Sequence, residues 1–287
     1  MNDPNVDTSI DLHIHSTESD GTLSPREVVC LAAQMQLSAI ALTDHDTVSG
    51  LPAARAAARE FSIELVPGLE LSTEHRGREV HILGYYIDDT NPGFLEKLDC
   101  FCRDRDERNR KMAKKLQEAS LSISYEALTD TYPDSVITRA HFARYLTDTR
   151  QVKDRETVFG KYLGDGCRCY VPREKITPFE AIDVIRSSGG LAYFAHPLLC
   201  RMNRDYLDAL VRTLAEHGLT GLEAIYSTYQ PNQELAMKRL AQKYSLLISG
   251  GSDFHGSNKP HIRLGKGTGS LKVPYCCLQQ MKERLKE

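Results

Sequence analysis

Short apolar runs of strand length alternate along this chain with stretches whose apolar positions recur at helical spacing. That alternation marks a mostly parallel α/β fold. Seven runs qualify as strands: residues 10–15, 39–43, 63–68, 80–86, 191–195, 221–225 and 246–250. Seven runs argue against a complete eight-stranded barrel and favour one irregular barrel, a distorted (β/α)7 arrangement. Two of the intervening helices are marked at their starts. Ser24-Pro25-Arg26-Glu27 and Thr177-Pro178-Phe179-Glu180 each combine an N-cap hydroxyl, a proline at the first helical position and a glutamate at the third. Gly189-Gly190 is suited to end the second of these helices.

The spacing breaks between the fourth and fifth runs. Residues 100–176 hold no convincing buried strand and read as helices with loops. Such a length far exceeds an ordinary crossover, so it is expected to form an inserted helical cap over the barrel mouth. The barrel itself is then expected from residues 8–99 and 177–287.

Composition narrows the class. The 287 residues, 41% hydrophobic and 26% charged, are ordinary for a soluble enzyme with ample core. A net charge of -3 gives no whole-molecule attraction to nucleic acid, so any such binding rests on a local patch. No apolar stretch is long enough for a membrane span. Residues 1–8 are polar and lack a signal-peptide core, which predicts a cytoplasmic protein. The cysteines of Cys100 and Cys102, Cys167 and Cys169, and Cys276 and Cys277 lie too close in pairs for CxxC motifs. All eight cysteines are expected as reduced thiols.

Candidate chemistry lies where the apolar runs end. Metal-ligand residue types recur in Asp11-Leu12-His13-Ile14-His15, Asp20, Thr43-Asp44-His45-Asp46, Pro67-Gly68-Leu69-Glu70, Val80-His81-Ile82, Ala195-His196-Pro197 and Gly251-Ser252-Asp253-Phe254-His255. Each cluster sits at or just past the C-terminal end of a run, except His81, near the start of its own. Residues two apart on a strand share a face, so His13 and His15 can reach one site, as can Asp253 and His255. Imidazoles mixed with carboxylates suit zinc, manganese or ferrous iron. Glu70, following a strand and a Pro-Gly turn between Leu69 and Leu71, is the candidate bridging carboxylate. A lone histidine on an apolar face is more often a core residue, and His81 by itself reads so. Nine positions in register do not. His75, His217 and His261 lie in polar or loop contexts and read as surface residues.

Together these motifs resemble the PHP (polymerase and histidinol phosphatase) family over essentially the whole chain. The resemblance implies a distorted (β/α)7 barrel, a trinuclear site and phosphoester hydrolysis. It implies nine ligands: His13, His15, Asp20, His45, Glu70, His81, His196, Asp253 and His255. Glu70 would bridge two ions, with His13, His15 and Asp253 around one and His81 and His196 around the other. Asp20, His45 and His255 would hold the third. Three divalent ions are thus implied, with manganese first and iron or zinc as alternatives. Asp20, His45 and His255 are the candidates for protonating a leaving oxygen.

The insertion carries its own signals. In Val136-Ile137-Thr138-Arg139-Ala140-His141-Phe142-Ala143-Arg144, Thr138 can cap a helix whose N-terminus favours phosphate. Arg139 offers a bidentate fork and His141 a further donor. Lys161 lies beside glycines in Phe159-Gly160-Lys161-Tyr162-Leu163-Gly164. The alternative is an ordinary amphipathic helix, with Phe142 and Tyr145 packed inward. These segments resemble the PHP branch of 3',5'-nucleotide bisphosphate phosphatases and 5'-to-3' exoribonucleases, which implies a nucleotide or short RNA substrate with a 5'-phosphate. Where that branch commonly continues Gly-Arg-Tyr after Ala195-His196-Pro197, this chain has Leu198-Leu199-Cys200-Arg201. The basic run 103–115, with seven Lys or Arg against three acids, reads either as an RNA guide or, more commonly, as a solvated face. The competing readings are a small-metabolite phosphatase, such as one for histidinol phosphate, and a non-catalytic metal-stabilised scaffold. No obligate protein partner is expected.

Overall fold

A computed structural model describes residues 9–164, 166–172 and 176–286. Residues 1–8 and the outer barrel bound at residue 287 lie outside the described residues. The strands are β1 (Ser9–Ile10), β2 (Ala39–Leu42), β3 (Glu64–His75), β4 (Arg78–Tyr85), β5 (Leu191–Phe194), β6 (Gly221–Tyr226), β7 (Leu247–Gly251) and β8 (Val273–Pro274). Helices α1 (Pro25–Gln34) and α2 (Leu51–Phe61) flank β2, and α3 (Pro92–Glu118), α4 (Tyr125–Thr131), α5 (Arg139–Asp148) and α6 (Arg155–Val158) follow β4. Helices α7 (Pro178–Ser187), α8 (Arg204–His217) and α9 (Pro231–Lys243) separate the later strands, and α10 (Cys276–Arg284) closes the chain.

Six strands form one curled sheet in the order β2-β3-β4-β5-β6-β7, while β1 and β8 pair separately. Both faces of the sheet are covered. Ile40, Leu42, Ile82, Phe194 and Leu222 pack against the helices on one side, and Ala41, Leu83, Tyr85, Tyr193 and Ile225 pack with Leu12 and Leu278 on the other. Alternation of large apolar side chains between two covered faces explains why these runs are nearly all hydrophobic.

Three expectations change in detail. First, only Ser9–Ile10 of the run at 10–15 is regular strand. Residues 11–15 instead thread between the outer strands, with Asp11 N bonded to Ala39 O (3.1 Å), Leu12 N to Gly250 O (3.2 Å) and His15 N to Phe254 O (3.0 Å). Side chains replace part of a ladder there: Thr43 Oγ1 accepts from Ile14 N (3.0 Å) and Asp11 Oδ1 from His13 N (3.3 Å).

Second, β4 is antiparallel to both neighbours. It follows β3 through Arg76-Gly77, both at positive φ (52° and 76°), the geometry of a tight hairpin turn. The reversal explains the odd position of His81. The N-terminal half of β4 lies where the parallel strands finish, and His81 O accepts from Ala195 N (3.0 Å), beside His196.

Third, Pro67-Gly68 is no turn but the middle of β3, so Glu70 stands within a strand. Residues 64–67 pair with β2 and residues 68–75 with β4. Pro67, which has no N–H to donate, sits where the strand changes partner.

The capping signals hold. Ser24 and Thr177 each accept from the backbone N–H of the glutamate three residues on, and that glutamate bonds back. Gly189, at φ 76°, follows the end of α7. Helices α3 to α6 enclose their own apolar cluster, including Met112, Leu116, Leu128, Phe142 and Leu146. Helix α3 begins at Pro92, ahead of the expected boundary at residue 100. The eight cysteines are free thiols. Among the described residues, no helix is long and apolar enough to cross a membrane.

Candidate metal centre and adjoining pocket

The nine expected donors gather in one cluster, with five imidazoles converging on Glu70. Its Oε1 lies 2.9 Å from His81 Nδ1 and 2.9 Å from His196 Nε2. Its Oε2 lies 3.2 Å from His13 Nε2, His15 Nε2 and His45 Nδ1. Asp253 Oδ1 faces His15 Nε2 and His255 Nδ1, each at 3.4 Å. Asp20 Oδ1 lies 3.1 Å from His255 Nε2 and 3.9 Å from His45 Nε2. Among the described residues, four overlapping sets have donor atoms within 4.8 Å of one another: His15-Asp20-His45-His255, His13-Glu70-His196, His13-His15-Asp253 and His45-Glu70-His81.

Proton sharing alone does not satisfy this cluster. His13 Nδ1 is held 2.9 Å from Glu223 Oε1; with a ring proton on that bond, a metal-binding lone pair on Nε2 would face Glu70 and His15 Nε2 (3.1 Å). His45 Nδ1 and Asp20 Oδ1 are buried without a hydrogen-bond partner among the described residues. Lone pairs and carboxylates converging in a buried site fit divalent cations bound through nitrogen and oxygen, with no thiolate needed. Burial alone would raise Glu70's carboxyl, but the imidazoles of His13, His81 and His45 hold it well below the usual range. Burial likewise works against protonation of His15 and His81, yet the surrounding carboxylates push both up to about 9. The cavity therefore carries a field that favours cations.

Buried acids orient the donors. Glu223 binds His13 through one oxygen and accepts from His196 N (2.7 Å) through the other, fixing the left-handed backbone of His196 (φ 30°). Asp44 accepts from Ser16 N and Oγ (both 2.7 Å) and Ser19 Oγ (2.5 Å), which holds the loop that presents Asp20. Asp11 accepts from Ser252 N and Gly265 N, both at 2.8 Å. Asp253 Oδ2 takes bonds from Tyr226 Oη (2.6 Å) and Lys259 Nζ (2.5 Å), leaving Oδ1 to face the imidazoles. Partners of this kind fix ligand orientation and strengthen metal binding. Gly251 is needed because a Cβ there would stand 2.3 Å from His13 Cβ.

A cationic pocket adjoins the donors, lined by Asp20, His45 and His81 together with Arg105, Arg108, Thr138 and Arg139. Thr138 Oγ1 donates to Asp20 Oδ2 (3.1 Å) and accepts from Ala140 N (3.2 Å), so one side chain both caps α5 and steadies a donor. Arg139 Nη2 donates to Glu79 Oε2 at 2.5 Å. His141 does not line this pocket. It is buried, its Nδ1 accepts from Thr138 N (3.0 Å), and its ring packs on Tyr132. Lys161 is exposed beside Tyr162 and is likewise not among the lining residues.

The basic run is not simply a solvated face. Arg105 and Arg108 are buried within it, and Arg105 Nη2 bonds Asp46 and Ser72 Oγ (3.0 Å). Charge counting hides this, because the two arginines stand three positions apart, which puts them on one side of α3. Glu223 and Lys259 also escaped sequence reading. A lone acid in the apolar run Gly221-Leu222-Glu223-Ala224-Ile225 was the available signal for the first, and none was evident for the second. His261 is exposed, and His217 bonds Asp183 (3.1 Å) at the surface.

Residues 11–262, which include every expected donor, match the family described as PHP domain. The chain is 37% identical over 268 residues to the 5'-3' exoribonuclease Rnm of Escherichia coli, covering 93% of this chain and 91% of that protein. It is 36% identical over 248 residues to a 3',5'-nucleoside bisphosphate phosphatase of Chromobacterium violaceum, covering 86% and 87%. Its fold matches the structure of an amidohydrolase from Chromobacterium violaceum with bound sulfate and no metal, at a TM-score of 0.85 and 33% identity, covering 96% and 97% of the two chains.

Proposed function

Because the chain belongs to the PHP domain family, we propose that it is a metal-dependent phosphoesterase acting on nucleotides with a free 5'-phosphate. Its substrates on this reading are 3',5'-nucleotide bisphosphates, from which it releases the 3'-phosphate, and short 5'-phosphorylated RNA, which it shortens from the 5' end. The observation that carries the reading is the pocket of Arg105, Arg108 and Arg139 directly against Asp20, His45 and His81. An enzyme that needs two phosphates must hold one while hydrolysing the other, and this arrangement supplies both places side by side.

In this account residues 100–176 act as the substrate cap. The curled sheet, with residues 11–15 threaded between β2 and β7, is read as a distorted (β/α)7 barrel. Three divalent ions, manganese first, would be held by His13, His15, Glu70 and Asp253, by Glu70, His81 and His196, and by Asp20, His45 and His255. When bound, they supply charge neutralisation and a water of lowered pKa for attack on phosphorus.

The chain's own residues do the rest. Arg105 and Arg139 present guanidinium forks to the 5'-phosphate, and Asp46 and Ser72 keep Arg105 in place. The N-terminus of α5, capped by Thr138, adds its dipole to the same anion. Glu70 is the central carboxylate, and Asp20 and His255, 3.1 Å apart, face each other where the third ion would be held. His141 acts from behind, by holding the turn into α5. Eight free thiols fit a reducing compartment, and we assign the protein to the cytoplasm.

Manganese-loaded protein incubated with adenosine 3',5'-bisphosphate, a 5'-phosphorylated tetranucleotide and histidinol phosphate tests this reading. Phosphate or nucleotide release from the first two is expected. Preference for histidinol phosphate would move the protein to small-metabolite chemistry, and silence on all three would leave a metal-stabilised scaffold.

A further inference from the structure

Three depressions run together across the face that carries the donors. The arginine pocket shares His45, Glu79 and His81 with a second depression over Glu70, His196 and Asp253. The second shares Glu79, Leu199 and Cys200 with a third, which ends at Arg78 and Arg201. The proposed function uses the first two and leaves the third without a role.

The third depression is built from two elements tied together. Arg78 opens β4 and Arg201 follows the short turn Pro197–Cys200, and Arg78 Nη1 donates to Arg201 O (3.4 Å). Arg201 itself sits in the left-handed region at φ 49°, which ends that turn. Leu199 on the same turn is 49% exposed, unusual for so large an apolar side chain in this chain. Glu79, the acid at the junction, accepts from Arg139 at 2.5 Å, on the side of the arginine pocket. The groove thus runs from cations, past the metal donors, to cations again, with an apolar side chain exposed at its far end.

We propose that the Arg78–Arg201 depression binds the RNA chain 3' of the scissile bond, with phosphates on the two arginines and a base against Leu199. The inference rests on the reading that the 5'-phosphate occupies the arginine pocket. With that end anchored and the scissile phosphate at the donors, the remaining chain leaves by the opposite opening. A cationic groove that tracks the phosphates is the general chemistry of single-strand binding without sequence preference, and Leu199 offers a base an apolar surface in place of the usual aromatic platform. A mononucleotide bisphosphate does not reach this depression, so it sets preference for chain length and not the chemistry itself.

The test compares wild type with the Arg78→Gln/Arg201→Gln variant, both changes lying at exposed positions. Fluorescence anisotropy follows binding of a hydrolysis-resistant, 5'-phosphorylated tetranucleotide across a salt series. The variant is expected to bind about tenfold more weakly, with the slope of log affinity on log salt smaller by about 0.7 for each phosphate that is no longer neutralised. Its kinetics on adenosine 3',5'-bisphosphate stay at wild-type values. Unchanged tetranucleotide affinity and slope would overturn the groove, as would an equal loss on the bisphosphate. Failure of wild type to hydrolyse adenosine 3',5'-bisphosphate or the unmodified 5'-phosphorylated tetranucleotide would instead sink the proposed function, so the two failures are read in different proteins.

Discussion

Thr138 Oγ1 donates to Asp20 Oδ2 across 3.1 Å, joining the first turn of α5 to a metal-donor loop 118 positions earlier in the chain. One hydroxyl thereby couples the helix that carries Arg139 to the cluster where chemistry would occur. On the proposed function, the substrate anchor and the metal site are therefore not independent.

Thr138→Val should show that coupling. Loss of an orienting partner typically costs about 10- to 100-fold in metal affinity, and loss of the cap about 1 kcal/mol of stability. Thr138→Ser retains both bonds and should behave as wild type in titration calorimetry with manganese. Equal metal affinity for all three proteins would show that Asp20 needs no help from α5.

Glu70→Ala removes the carboxylate on which five imidazoles converge. Turnover should fall below detection, and elemental analysis should find fewer bound ions per chain. Near-normal activity with a full metal complement would refute the central place given to Glu70.

His141 predicts a pH dependence of stability. Burial lowers its pKa from 6.5 to about 4. The unfolded chain therefore takes up the proton first, and the stability contributed is complete above pH 6.5 and lost as pH falls toward 4. That difference is worth on the order of 3 kcal/mol at most. His141→Gln keeps an acceptor for Thr138 N at the same helical position without titrating. Denaturant unfolding of metal-free protein at several pH values should show wild type losing more stability than the variant over this window. Parallel profiles would mean that His141 takes up its proton in the fold as readily as in the unfolded chain.

Much of the candidate donor cluster was legible because histidines and carboxylates are unusual residue types at the ends of apolar runs, where burial would otherwise exclude them. Their supporting acids were harder to see. Asp11 and Asp44 lie inside the same motifs, but only the fold reveals that they brace backbone N–H groups and serines. The reversal of β4 was hidden because a strand's apolar pattern carries no direction, and the misplaced register of His81 was its only trace. Arg105 and Arg108 read as solvent-facing charge, since a sequence does not say which side of a long polar helix meets a neighbour. Lys259 follows the last motif in a loop, where no periodicity points to Asp253.

The most direct test of the account is the catalytic efficiency of manganese-loaded wild type and Arg139→Ala on adenosine 3',5'-bisphosphate and on adenosine 3'-monophosphate, which lacks the 5'-phosphate. A hydrogen bond to a charged group is worth about 1.5–3 kcal/mol, so the variant's KM for the bisphosphate should rise about 10- to 100-fold. Its activity on the monophosphate should match wild type, which should itself be poor on that substrate. An equal effect of the substitution on both substrates would contradict the arginine pocket as the anchor of the 5'-phosphate.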